Sequence, residues 1–261
     1  YKVVHHFEKA NGSGYEVYLT QELAGITDTT VKAQPLAPTG LNFVPALSTV
    51  EGVVTGDGSL VLNLYYDREE YQVIYEYEGT VPAGAPTLPT NGTYKFGATV
   101  DIADVPASIP AGYEFVGWYF GDVTNIVTSI EMPAHNVYIR AYFKPSAGTQ
   151  YKVEHYLMGT DGQYATDPAL TERYTGTTGD NVTANALTTF EGFTFNASNS
   201  TVSGTIAGDG SLTLKLYYDR VKYNVTYVYE GEVPAGASAL PTDATYYHGE
   251  NVTIAANATA P

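Results

Sequence analysis

The sequence predicts a mainly β protein built from small modules in tandem, and three observations carry that expectation. Apolar residues recur at every second position over short stretches, which places them on one face of an extended strand. No stretch has a strong 3.6-residue apolar period, so helix is expected only as short turns, near residues 101–108 or 184–188. The chain also duplicates itself, so the module rather than the whole length is the unit of folding.

The duplication is read directly. Tyr1-Lys2-Val3 returns as Tyr151-Lys152-Val153, and Gly56-Asp57-Gly58-Ser59-Leu60 as Gly208-Asp209-Gly210-Ser211-Leu212. Leu64-Tyr65-Tyr66-Asp67-Arg68 matches Leu216-Tyr217-Tyr218-Asp219-Arg220, and Val81-Pro82-Ala83-Gly84-Ala85 matches Val233-Pro234-Ala235-Gly236-Ala237. The order is a module A1 (1–68), a module B1 (69–144), a joint (145–150), A2 (151–220) and an incomplete B2 (221–261). Modules of about 70 residues are individually marginal, burying only ~60% of their unfolded surface. The junction from Asp67 to Glu70 leaves no room for a flexible linker, so A and B are expected to dock and the tandem to be rod-like.

Within A1, Leu60, Leu62, Leu64 and Tyr66 share one strand face, repeated by Leu212, Leu214, Leu216 and Tyr218 in A2. In B1, Tyr71, Val73, Tyr75 and Tyr77 form such a face, echoed by Tyr223, Val225, Tyr227 and Tyr229. Val137, Ile139, Ala141 and Phe143 alternate with Tyr138, Arg140 and Tyr142. Asp57-Gly58 and Asp209-Gly210 suit tight hairpins, since both residue types tolerate positive φ. Prolines at 82, 86, 89, 106 and 110 favour loops or edge segments over central strands.

Composition narrows the function. The 261 residues carry 28 acids against 12 bases, a net charge of −16, which argues against a nucleic-acid partner or docking on an anionic membrane. No apolar run approaches the ~18 residues of a membrane helix, so membrane insertion is not expected. Absence of cysteine excludes disulfides and thiolate metal sites. With no signal peptide, the chain reads as a piece of a longer one.

Several blocks in B1 resemble a known family. They are Tyr71-x-Val73-x-Tyr75, Tyr94-x-x-Gly97-x-x-Val100, Gly112-Tyr113-x-Phe115-x-Gly117-Trp118 and Met132-Pro133-Ala134-His135-Asn136-Val137. The series resembles the internalin-type B repeat, or Listeria–Bacteroides repeat. Module A is more loosely similar to mucin-binding-protein (MucBP) repeats, through Tyr151-x-Val153-x-His155-Tyr156, Gly162, Gly176-x-x-Gly179, Glu191-Gly192-Phe193 and Leu216-Tyr217-Tyr218. The resemblance implies β-grasp (ubiquitin-like) modules on bacterial surface proteins, with a helix across one sheet face. An immunoglobulin-like sandwich is the alternative fold.

No catalytic constellation is expected. His5 and His6 are adjacent on a strand, point to opposite faces and cannot chelate one metal, so they read as ordinary strand residues. Glu76 and Glu78, with Glu230 and Glu232 in the second copy, invite comparison with a glycosidase pair. Lying beside no evident cleft motif and occurring in both copies, they read as a solvated face. Asp57 and Asp209 could face calcium, but their flanks supply few further oxygens. The sequons at Asn11, Asn91, Asn181, Asn196, Asn199, Asn224, Asn251 and Asn257 follow from abundant Asn, Ser and Thr. Lys2 and Lys152 recur, but nothing pairs either with an asparagine for an isopeptide link. No cofactor or metal is called for.

Tyrosine is the unusual residue, at 24 copies. Tyr65, Tyr138, Tyr142 and Tyr217 fall on the strand face opposite the apolar row. They are expected to pair across strands, or to offer flat contact area to a ligand. The expected function is an extracellular, non-enzymatic stalk or adhesion segment of a wall-anchored surface protein, touching neighbouring repeats of its own chain. The alternatives are a glycan- or mucin-binding module that uses exposed tyrosines, and ancillary repeats of a cell-wall enzyme; a host protein or a neutral glycan is the expected partner. B2 ends before counterparts of Gly112–Trp118 and Met132–Phe143, so either the chain is cut or a second chain donates the strand. Val252 and Ile254 are then expected to be under-packed.

Overall fold

The computed structural model describes residues 1–256, and the sequon at Asn257 lies outside them. Two compact units divide the chain, residues 1–110 with 114–144 and residues 111–113 with 145–261. In the first unit, strand Lys2–Glu8 runs antiparallel to Tyr15–Glu22 on one side and parallel to Val61–Arg68 on the other. Leu41–Phe43 adds antiparallel to Val61–Arg68, completing a four-stranded mixed sheet. A two-stranded ribbon, Thr30–Lys32 with Glu51–Val53, accompanies it. The alternating pattern sets which face is buried. Leu62, Leu64 and Tyr66 are fully buried beside Val3 and Phe7, while Asn63 and Tyr65 point the other way.

The B1 segment repeats the plan. Glu70–Tyr77 lies between antiparallel Gly92–Lys95 and parallel Val137–Ala141, and Tyr119–Phe120 pairs on the outside. Its ribbon is Thr99–Asp101 with Ser129–Glu131. Val73, Val100, Trp118, Met132, Val137 and Ile139 form the core. In the second unit, Thr149–Leu157 lies between Leu170–Gly176 and the parallel Thr213–Arg220, with Phe193–Thr201 outermost. Asn181–Thr183 and Ser203–Thr205 make its ribbon. After it comes the hairpin-like pair Lys222–Val225 and Ala244–Tyr247.

All three complete sheets thus place the first and last strands side by side and parallel at the centre, which is the strand order of a β-grasp sheet. The helix implied by the resemblance is not there. Among the described residues the one helical element is the 3-10 turn Pro45–Leu47, and neither 101–108 nor 184–188 is helical. The reason is visible in the backbone hydrogen bonds. Ile102 N–H donates to Thr128 O, Ala103 N–H to the Tyr75 hydroxyl, Ala184 N–H to Val202 O and Leu187 N–H to the Tyr218 hydroxyl. Donors committed to other strands and side chains cannot close helical turns. The immunoglobulin-like alternative falls too, because a sandwich of purely antiparallel sheets has no central parallel pair.

Asp57-Gly58 forms a tight turn, with Gly58 at φ +73° and its N–H donating to Thr55 O. It is not the hairpin expected, because it leads from the ribbon strand Glu51–Val53 into the sheet strand Val61–Arg68, and these do not pair. Asp57 itself keeps a negative φ. Its carboxylate accepts from Ser59 N–H, and these turn hydrogen bonds, with the Thr55 hydroxyl foremost, lower its pKa to about 2.

Within each unit the A and B segments meet at a repeated arginine. Arg68 donates from Nε to Glu8 O at 2.6 Å and from Nη1 to Phe96 O at 2.8 Å. Arg220 donates likewise to Met158 O at 2.9 Å and to His248 O at 2.7 Å. Opposite the joint, Gly40 sits at φ +74°, where an added Cβ would lie 2.5 Å from the Phe96 ring. Gly40→Ala is therefore expected to destabilise the first unit by more than about 1 kcal/mol, through backbone strain and the clash together. Thermal unfolding checks this, and an unchanged midpoint would contradict it. In the last segment Val252 and Ile254 are 41% and 63% exposed, where Val100 and Ile102 are 2% and 7%. Among the described residues no strand lies beside Lys222–Val225 in the place that Val137–Ala141 takes beside Glu70–Tyr77.

Candidate functional site

Of the four outward tyrosines, Tyr65, Tyr138 and Tyr142 lie in the first unit and Tyr217 in the second. Tyr138 is 46% exposed on the outer face of B1, over which Arg140 lies at 5.6 Å from the ring centroid. Tyr142 is half-buried in the same segment. Tyr65 and Tyr217 occupy equivalent places in A1 and A2, and each belongs to an aromatic cluster that the sequence pattern did not reveal.

In A2, Tyr217 stacks on Tyr156 with centroids 5.1 Å apart, as the two are register partners on neighbouring parallel strands. Tyr164, from the loop after Thr149–Leu157, leans against Tyr217 at 4.7 Å. Its hydroxyl donates to the Asp219 carboxylate, while Asn196 Nδ2 donates to that same carboxylate and to the Tyr164 oxygen. Tyr156 is buried and donates to Glu154, whose carboxylate holds the phenol up at about 12. Glu154 pairs in turn with Lys152 at 2.6 Å. These rings floor a cleft of about 560 Å³ whose rim includes Gln163, Asn199 and Lys215.

In A1 the same ladder positions are filled differently. His6 replaces Tyr156 and stacks on Tyr65 at 4.5 Å, and Asn63 replaces Lys215. His6 Nε2 and Asn63 Oδ1 hydrogen-bond at 2.9 Å. Tyr15, the counterpart of Tyr164, donates to Asp67, which with burial raises its pKa to about 12. The aromatic signal was therefore present in the duplicated Tyr-Tyr-Asp-Arg block. Its partners are Tyr15, at the start of the strand Tyr15–Glu22, and Tyr164, from a loop, and only the fold brings them to it.

The recurring histidine, read as an ordinary strand residue, is fully buried in both copies. His155 Nδ1 lies 2.9 Å from the Tyr218 hydroxyl and Nε2 2.9 Å from Glu172. His5 makes the same bond to Tyr66 at 2.8 Å, but its Nε2 faces Gln21 at 3.4 Å. The hydrogen bond from His155 holds the Glu172 carboxyl below the usual range. A carboxylate with a depressed folded pKa adds stability above its unfolded pKa, about 4.3, and loses it as pH falls through the folded value. A2 is therefore expected to lose protection on acidification below that range, and Glu172→Gln to flatten the loss. Hydrogen exchange of A2 amides against pH reads this out, and an identical profile in the variant would contradict it.

The carboxylates considered as a glycosidase pair are engaged separately. Glu76 pairs with Arg140 and Glu78 accepts from the Tyr119 hydroxyl. Glu78 matches Glu230 in the repeat, but Val228 stands where Glu76 stands, so the second copy does not reproduce the pair. Lys2 pairs with Glu22 at 3.1 Å. Among the described residues no group of three His, Asp or Glu side chains comes together as a metal-ligand set.

Among curated protein sequences none matches the chain. Among solved structures, domains 3–4 of the Streptococcal High Identity Repeats in Tandem (SHIRT) of a cell surface protein match at 19% identity with a TM-score of 0.24. That match covers 58% of this chain and 98% of the other. Residues 77–147 match the family described as the divergent InlB B-repeat domain, a span that holds Gly112–Trp118, Met132-Pro133 and the strand Val137–Ala141. This part of the chain is thus similar to a divergent InlB B-repeat.

Proposed function

We propose that the chain is a tandem-repeat segment of a bacterial cell-surface protein, extracellular and non-enzymatic, which displays a binding region away from the cell wall. The observation that carries this reading is the similarity of residues 77–147 to the divergent InlB B-repeat, set within an A–B unit that occurs twice. On this reading the A modules are MucBP-like repeats, and the segment serves as a stalk whose neighbouring repeats brace one another through Arg68 and Arg220. Repetition adds a second benefit. Tethered copies act at high effective concentration, so weak contacts with a host protein or neutral glycan become avidity.

The test is a replacement in the full-length protein. Exchanging this segment for an unrelated β-repeat array of equal length should preserve attachment of the cells to their surface, whereas deletion should reduce it. Attachment lost equally in both would show that the segment acts through chemistry of its own rather than as a spacer.

A further inference from the structure

We propose that the A2 cleft floored by Tyr156, Tyr164 and Tyr217 is a carbohydrate subsite that takes one neutral hexopyranose. The depression is shallow and open to solvent, which suits one sugar ring lying across it rather than an enclosed ligand. Its chemistry is that of a sugar rather than of an apolar side chain. Aromatic rings offer a flat, apolar face to the C–H face of a pyranose, and Gln163, Thr166, Asn199 and Lys215 add polar groups around them beside one small apolar residue, Ala165. Tyr164 is held in place by Asp219 and Asn196, so the ring is preorganised rather than free to collapse.

Uncommitted polar groups converge on the same cleft. Among the described residues the Tyr217 hydroxyl, the Gln163 side-chain amide and the Lys215 ammonium make no hydrogen bond or ion pair, although all three line the cleft. Lys215 lies 5.7 Å from the Tyr156 ring, at the edge of the floor. Together they can donate to and accept from ring hydroxyls. Lys152 and Lys215 near Glu154, with Asp219 behind Tyr164, leave no net positive charge at the cleft, and on a chain of net charge −16 this does not favour an anionic sugar.

The duplication supplies a control. In A1 the ladder positions of Tyr156 and Lys215 hold His6 and Asn63, which satisfy each other at 2.9 Å and leave no comparable pair of free groups. The subsite belongs to A2 and not to its copy, so it is not a by-product of tyrosine in these repeats.

The experiment is a titration of the isotope-labelled full chain with methyl β-galactoside, methyl α-glucoside and N-acetylglucosamine, followed by backbone amide shifts, with N-acetylneuraminic acid as the anionic arm. At least one neutral sugar should shift amides near Tyr164 and Tyr217 with millimolar affinity, the usual range for a single small contact. Tyr217→Ala should weaken that binding about tenfold, the scale of a lost aromatic contact, and Tyr65→Ala should leave it unchanged. Gln163 and Asn199 are exposed, so Gln163→Ala and Asn199→Ala keep the fold and should each weaken binding even if Tyr217→Ala unfolds the module. Absence of shifts with all three neutral sugars would overturn the proposal. So would shifts indifferent to the cleft variants, or tighter binding of N-acetylneuraminic acid.

Discussion

Tyr218→Phe is expected to destabilise A2 by about 2–4 kcal/mol, although it removes a single oxygen atom. That oxygen, in a side chain 1% exposed, accepts from Leu187 N–H and meets His155 Nδ1, each at 2.9 Å. A complete chain of donors follows if His155 carries its proton on Nε2, donating to Glu172, and accepts at Nδ1 from the Tyr218 O–H. Phenylalanine leaves a buried N–H and a buried ring nitrogen without partners, and each such group costs about 1–3 kcal/mol. The equivalent change Tyr66→Phe should act alike on A1, where the hydroxyl meets Leu36 N–H and His5 at 2.8 Å. Tyr217→Phe, one residue away on the outer face, should shift stability by no more than about 0.5 kcal/mol. Several modules share the chain, so a single global unfolding energy is not the right readout. Amide exchange resolved over Thr213–Arg220 is, with protection expected to fall in Tyr218→Phe alone; equal protection in both variants would contradict the network.

Arg68→Ala has the second large effect, expected at about 1.5–3 kcal/mol in the coupling between A1 and B1. Its side chain bridges the two modules, giving one N–H to the end of the Lys2–Glu8 strand and another to Phe96 O in B1. Glu8 reinforces it, accepting from Arg68 N–H and from Lys95 Nζ at 3.0 Å. Loss of the guanidinium leaves two half-buried carbonyls unpaired and should split one cooperative transition of A1–B1 into two. Calorimetry of residues 1–144 would show the split. Arg140→Ala is the comparison, since its pair with Glu76 lies on an open face where water screens it, and the single transition should survive. Similar behaviour of the two variants would mean that Arg68 is only another surface charge.

Much of the fold was legible because burial on a strand has period two. Leu62, Leu64 and Tyr66 announced a buried face, as did Val137, Ile139 and Ala141, and all are buried. The strand order was not legible, since alternation says which residues share a face but not which strand lies alongside. The scarcity of helix was legible in the missing 3.6-residue period, but the absence of even a helical turn over 101–108 and 184–188 was not, because Ala103 and Leu187 look permissive until their N–H groups are seen donating to Tyr75 and Tyr218. Tyr66 and Tyr218 read as core bulk, and their hydroxyls became meaningful only when the parallel first strand brought in His5 and His155. For the site, Tyr217 was visible as an outward tyrosine. Tyr164 and Gln163 were not, as they come from a loop with no periodic signal, and neither was Asn199, on the stretch of the strand Phe193–Thr201 where the register shifts.

The central claim is that these repeats stand outside the cell. It is tested most directly by antibodies raised against residues 1–144 and applied to intact and to permeabilised cells that make the protein. Equal labelling of both, abolished by brief protease treatment of the intact cells, is the expected result. Labelling that requires permeabilisation and survives the protease would contradict it.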